Sequence, residues 1–378
     1  MKPKILFFIT EDWFFCSHFI NRAIEAQRQG YEVTVVTHVQ NHGNKITSYG
    51  LKLIPVKLVR RGMNPLKELR LIWKLIRIFK YVKPDLVHNI ALKPIFYGSI
   101  AAFIARVPFI TNAPVGMGYV FSSEKRSAKI FRPLVLSVYR LLFNPAKVNV
   151  IFENPDDLQM MTSAGIVSSD RAILIRGAGV DLKLFSPQPE AEGRPVVILA
   201  ARMLWDKGVG EFVEAARILK QDGVECRMAL IGDPDTGNPA SIEKQTLYDW
   251  HVEGIVEWWG HRENMAEMFA LSNIVVLPSY REGLPKVLLE AASCGRAIVT
   301  TDVPGCREIV HHNENGLLVP PHDSKSLAGS IKTLIENPKL RASMGMRGRE
   351  IVEAEFSKEI VVSQTMAFYK EKLLESNR

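Results

Sequence analysis

Cysteine is scarce in this 378-residue chain, and the four that occur, Cys16, Cys226, Cys294 and Cys306, are widely spread with no Cys-x-x-Cys pair. That spacing argues against a zinc site or a disulfide framework and fits buried thiols in a reducing compartment. Long apolar runs are lacking too. The longest, Pro94 to Ala105, is too short to span a bilayer and contains Gly98 and Ser99, so no transmembrane helix is expected. The opening MKPKILFFIT begins basic and apolar like a leader, but Glu11 and Asp12 interrupt it and no small-residue cleavage site follows, so it reads as a first buried strand. No repeat of solenoid length and no low-complexity tract occurs. Acidic residues are short in one half only. Residues 1–187 carry 26 Lys and Arg against 12 Asp and Glu, a net of +14, whereas the remainder carries 22 against 28, a net of −6. Such asymmetry suggests that the first half meets an anionic surface or partner.

What is present is the material of a two-domain α/β protein: enough length for two cores and a hydrophobic content of 47%. Residues 4–10, 33–37, 53–56 and 85–88 read as short apolar strands separated by helical spacing. A second series follows with VVILAAR from Val196, MALIG at 228–232, IVVLP at 274–278 and AIVTT at 297–301. This alternation predicts two parallel sheets covered by helices on both faces. Apolar periodicity lapses and turn residues gather between Pro187 and Pro195, which places the linker there.

Residues 66–82, LKELRLIWKLIRIFKYV, predict a helix with Lys67, Arg70, Lys74, Arg77 and Lys80 on one face and Leu69, Ile72, Ile76 and Phe79 on another. Arg60, Arg61 and Lys83 flank it, and Lys125, Arg126, Lys129 and Arg132 add further charge. A basic amphipathic helix of this kind can rest on an anionic membrane. An ordinary surface helix with a solvated basic face has the same pattern.

The most informative stretch is Pro278 to Ala292, PSYREGLPKVLLEAA. A strand ending at Leu277 feeds a polar loop and then a helix that Pro285 can open and Gly295 can stop. Glu282 lies in the loop and Glu290 inside the helix; the amides near Gly283, Leu284 and Lys286 offer an anion-attracting helix N-terminus. Carboxylates on either side of such an amide cradle suit a nucleotide diphosphate sugar, with its central anion and hydroxyl-rich flanks. Two solvated glutamates on a surface helix are the plain alternative. Upstream, Arg202 ends a strand and Lys207 precedes Gly208 and a helix, so two cations in one loop could grip the same diphosphate without metal. The GDPD acids Asp233 and Asp235 sit in a turn-forming cluster and read as loop acids rather than a metal site.

EGLPKVLLEA resembles the paired-glutamate signature of the retaining GT-B glycosyltransferases of group 1, and the resemblance extends through IFENPDDLQ, RGAGVDLKLFSP and VPGCREIV. It implies an α/β, GT-B fold of two Rossmann-like doubly wound domains facing a central cleft. The implied bounds are an acceptor-binding first domain over 1–187, a nucleotide-sugar domain over 188–357, and a terminal helix over 358–378 crossing back to the first. Glu290 would hold the nucleotide ribose and Glu282 the donor hexose, with Gly283, Leu284 and Pro285 at the donor. Arg202 and Lys207 match the family's cation pair, which stabilises the leaving diphosphate.

In the first half, His88 matches the histidine of a D-x-V-H segment at the end of a predicted strand, although Ile90 stands where a further histidine is often found. A catalytic or acceptor role and a core imidazole are both open for it. Lys93 closes the same segment. Gly116 and Gly118 resemble the family's acceptor glycines. Asp12, Trp13 and His18, in the opening TEDWFFCSHF, are further candidates for acceptor contact. That opening is like those of enzymes building bacterial surface polysaccharides or lipid-linked oligosaccharides.

The expectation is therefore a metal-independent, retaining transferase of a hexose or N-acetylhexosamine. Its donor would be a nucleotide sugar, a UDP-sugar first, serving as co-substrate with no cofactor. The acceptor would be a polyprenyl-diphosphate-linked or other glycan, met at the cytoplasmic face of the inner membrane. A UDP-sugar epimerase of the same fold would turn over its substrate without an acceptor. A basic nucleic-acid binder would show salt-dependent affinity, but the basic residues lack interleaved aromatic platforms.

Overall fold

The structure, a computed structural model, describes residues 2–58, 64–115 and 126–375, the side chains of 126–132, 134 and 375 excepted. Two compact units emerge, Met1–Ala178 with Glu359–Arg378, and Gly179–Lys358.

In the first unit β1 (Lys4–Glu11), β2 (Glu32–His38), β3 (Lys52–Pro55), β4 (Leu86–Ile90), β5 (Phe109–Ala113), β6 (Val148–Phe152) and β7 (Ala172–Leu174) form one parallel sheet in the order 3-2-1-4-5-6-7. The four strands expected here are β1 to β4, no boundary moving by more than two residues. Because side chains alternate across a strand, Ile5, Phe7 and Ile9 enter one core and Leu6 and Phe8 the other. Burial on both faces is why these strands read as continuous apolar runs. The helix Lys358–Glu375 contributes Val361, Met366, Phe368, Tyr369 and Leu373 to the same core as Phe7. The apolar run at 94–105 is the helix Leu92–Ile104, and no helix among the described residues is long and apolar enough to cross a membrane.

In the second unit β8 (Val196–Ala200), β9 (Arg227–Ile231), β10 (Glu257–Gly260), β11 (Ile274–Leu277), β12 (Ala297–Thr301) and β13 (Gly316–Val319) form a parallel sheet in the order 10-9-8-11-12-13. Each sheet reverses its strand order once, between β1 and β4 and between β8 and β11. Doubly wound sheets bind ligands at the carboxyl ends of the strands flanking that reversal.

The division between units falls at 178/179, ahead of the proline-rich stretch where sequence placed it. Residues 179–195 are fastened to the second unit. Val180 and Lys358 exchange backbone bonds with each other's strand region, Val180 N donating to Phe356 O at 3.0 Å and Lys358 N to Val180 O at 2.9 Å. Phe185 is buried against Phe269. Glu190 accepts from Arg341 and from Asn273 Nδ2, and Arg296 Nη2 donates to Gln188 O at 2.7 Å. A segment can look like a linker in sequence and still be held by distant arginines.

Candidate active site

The loop after β8 is anchored by Met203 and Leu204, both buried, and ends at Gly208, which opens the helix Val209–Gln221. Gly208 has φ of 71°, and a Cβ there would lie 2.1 Å from the Pro278 carbonyl oxygen. Only glycine lets this loop touch the one that follows β11. The contact is extended by Tyr280, whose amide donates to Asp206 O at 3.1 Å and whose hydroxyl donates to Glu211 Oε1 at 2.7 Å. The His322 ring lies 3.8 Å from that of Tyr280. Beneath the second loop sits Gly305, where a Cβ would be 2.3 Å from the Gly283 carbonyl oxygen. Thr301 Oγ1 donates to Ser279 O, and Thr300 Oγ1 to Leu277 O at 2.6 Å.

This docking of two loops brings together the charges that sequence proposed. Lys207 Nζ and Glu282 Oε1 are 2.5 Å apart, although 75 residues separate them in the chain. Arg202 Nη1 reaches Asp235 Oδ2, beyond β9, at 2.6 Å. Asp235, read from sequence as a loop acid, is thus the partner of Arg202. Beside the Lys207–Glu282 pair the Cys306 thiol is pushed up to about 12, chiefly by burial, and is inert at neutral pH.

The helix begins one residue later than expected, at Lys286, with Pro285 as its cap residue in an extended conformation. Leu284 is buried below it. Gly295, at φ of 69°, follows the last turn and donates to Ala292 O at 2.9 Å. Glu290 faces inward and is buried, which pushes its carboxyl above the usual range, while Lys286 Nζ at 3.0 Å opposes that shift. A buried carboxylate with one lysine partner retains acceptor capacity for hydroxyl donors. Tyr280, Glu211, His322 and Asp235 carried no local sequence signal as a group. Tyr280, Glu211 and His322 meet one another, and Asp235 meets Arg202, because β8, β9, β11 and β13 end at the same sheet edge.

In the first unit the sequence candidates separate. His88 is buried in β4, packed by Phe7 and Phe19, and its Nδ1 shares a 2.6 Å hydrogen bond with the Tyr369 hydroxyl. Burial, with the nearby charge of Arg22, lowers its pKa to about 3. Of the two readings left open for it by the sequence, a neutral imidazole enclosed in this way matches the core one. Asp12 is fully buried and accepts from the amides of Trp13, Gln40 and His42 at 2.7 to 2.8 Å, so its carboxylate is engaged by the backbone. Trp13 is exposed and donates its indole N–H to Glu11, and His18 is partly exposed against Phe14. Lys93 pairs with Glu68 at 3.0 Å. Gly116 and Gly118 lie outside the described residues.

The sequence profile of the group 1 glycosyl transferases covers residues 181–351, and that of glycosyl transferase 4-like proteins covers residues 4–154. Both halves of the chain are thus similar to glycosyl transferases, the second to those of group 1 and the first to the 4-like proteins. The chain is 29% identical over 351 residues to N,N'-diacetylbacillosaminyl-diphospho-undecaprenol alpha-1,3-N-acetylgalactosaminyltransferase of Campylobacter jejuni, spanning 89% of this chain and 90% of that enzyme. With the capsular polysaccharide biosynthesis glycosyltransferase CapM of Staphylococcus aureus it shares 24% identity over 89% of this chain and 90% of that one. Its fold is that of Anabaena HepE, solved in complex with UDP and glucose, at a TM-score of 0.79, 22% identity and coverage of 98% and 100%. Thermosynechococcus elongatus sucrose-phosphate synthase superposes at 0.80, with 21% identity and both chains fully covered. The GT-B architecture of this chain is therefore two doubly wound parallel sheets, one per unit.

Proposed function

We propose that this protein is a glycosyltransferase that moves a hexose or N-acetylhexosamine from a UDP-sugar to a glycan carried on a polyprenyl diphosphate, with retention of configuration and without metal, in surface-glycan synthesis. The observation that carries the reading is the joining of the Arg202–Lys207 loop to the Glu282 loop at the carboxyl ends of β8 and β11, with buried Glu290 in the helix that follows the second loop. Arg202 and Lys207 would meet the diphosphate and stabilise the charge that develops as the glycosidic bond breaks. Glu290 would accept from the ribose hydroxyls and Glu282 from the sugar. The leaving phosphate would take the proton of the incoming hydroxyl on the same face, with no enzyme nucleophile. Two cations supply the electrostatic role that a divalent ion fills elsewhere. The undecaprenol-linked acceptor in the name of the Campylobacter relative, and the basic first half, support an acceptor met at the cytoplasmic face of the inner membrane.

The test is transfer from a panel of UDP-, GDP- and ADP-sugars in EDTA, with and without a polyprenyl-diphosphate-linked sugar. Transfer that needs the lipid and survives EDTA is the expected result. Conversion of a UDP-sugar without acceptor would mean epimerisation instead. In the same assay Arg202→Ala and Glu290→Ala should each lower kcat/KM by about 100-fold, the scale of losing one charge-stabilising contact. Unaltered rates in both would remove this site.

A further inference from the structure

The helix Pro65–Val82 buries Leu71, Leu75 and Phe79 against the first sheet and presents a second apolar line to solvent. Leu66, Leu69 and Trp73 are 67%, 62% and 65% exposed and follow one another at three- and four-residue steps, so they share the outward face. Arg70 and Arg77 stand in the same line, with the Arg77 guanidinium 5.6 Å from the Trp73 ring, and Lys67 and Lys80 are exposed beside it. Lys74 leans away to the Pro55 carbonyl. Next to the helix, Leu92 and Phe96 of Leu92–Ile104 are 38% and 39% exposed. The one acid of the helix, Glu68, is neutralised by Lys93.

A surface helix ordinarily turns polar residues outward; this one turns out leucine, tryptophan and arginine together. We propose that this stripe is a bilayer-docking surface, in which Leu66, Leu69 and Trp73 enter the boundary between headgroups and acyl chains while Arg70, Arg77, Lys67 and Lys80 pair with anionic lipid phosphates. The helix lies in the plane of the membrane, its Leu71–Leu75–Phe79 stripe still holding it to the protein. Charge decides the occupant. A second copy would set the same cations against each other, and a nucleic acid would give the leucines no stacking partner. The inference rests on the proposed function only in that a lipid-linked acceptor gives membrane docking a purpose; it does not depend on the donor site.

The test is co-sedimentation of the full chain with vesicles of phosphatidylcholine alone or mixed with phosphatidylglycerol, at low and high salt. Binding to the mixed vesicles that weakens with salt is expected. A Leu69→Ala/Trp73→Ala pair and an Arg70→Glu/Arg77→Glu pair should each weaken it about tenfold or more, at unchanged thermal midpoint. UDP affinity in the same samples reports the donor site independently, so its loss with vesicle binding intact would count against the proposed function alone. The docking surface is overturned if wild type ignores phosphatidylglycerol vesicles or if both pairs bind like wild type. It is equally overturned if the leucine and tryptophan changes instead abolish a dimer, or if only the arginine changes matter and what they abolish is RNA binding.

Discussion

Between about pH 6.5 and 3, His88 takes up a proton in the unfolded chain and not in the folded one, because burial holds its folded pKa near 3. The unfolded state binds more protons across that window, so His88 costs stability as pH falls through it and nothing above it. His88→Gln, which keeps a hydrogen-bonding group for Tyr369 but does not titrate, should flatten the decline in urea stability between neutral pH and pH 5. The same variant should retain transferase activity; a severe loss of kcat without a change in the pH profile would return His88 to the chemistry. The strand pattern around 85–88 was legible in sequence, and so was an apolar setting for the histidine. Its partner was not, since Tyr369 lies 281 residues away. Likewise the sequence offered Asp12 as a cleft-edge polar group, and three backbone amides claim it in the folded chain.

At the scale of an element, the helix Pro65–Val82 begins where the sequence put it, to within a residue. Asn64 Oδ1 accepts from Leu66 N and Lys67 N at 3.1 and 3.3 Å, and Pro65 fills the first turn. Its buried face is shifted from the apolar line read in sequence: Phe79 of that line is in the core and Ile72 and Ile76 pack against it, but Leu69 does not. Leu69 points to solvent, and Leu71 and Leu75 take the core, because a helix this rich in leucine and isoleucine offers two apolar lines and only the sheet can choose between them. Leu75→Ala should therefore cost about 3 kcal/mol, and Leu69→Ala less than about 0.5 kcal/mol, as read by denaturant unfolding. Equal costs would mean that the helix is turned about its axis. The loop after β11 teaches the same lesson in reverse: its glutamates, glycines and proline were all read from one short motif, whereas Tyr280 and its Glu211 partner were not.

For the whole molecule, Gly179–Lys358 is a continuous chain with its own complete sheet, whereas the first unit needs the last helix returned to it. Residues 179–358 alone should fold with one cooperative thermal transition, while residues 1–178 alone should lack one, since Phe7 and its neighbours lose Phe368 and Tyr369. A cooperative transition in the 1–178 fragment would show that the terminal helix is dispensable. Sequence by itself determined the two series of strands, the basic and acidic halves, and the motif carrying Glu282 and Glu290, because each is written in consecutive residues and local periodicity. Only the tertiary structure decided that Lys207 meets Glu282, that Arg202 meets Asp235, that His88 belongs to the core, and that 187–195 is fastened rather than free. Those outcomes depend on which strand ends become neighbours in a parallel sheet, and parallel neighbours are joined by long crossovers that leave no trace in local spacing.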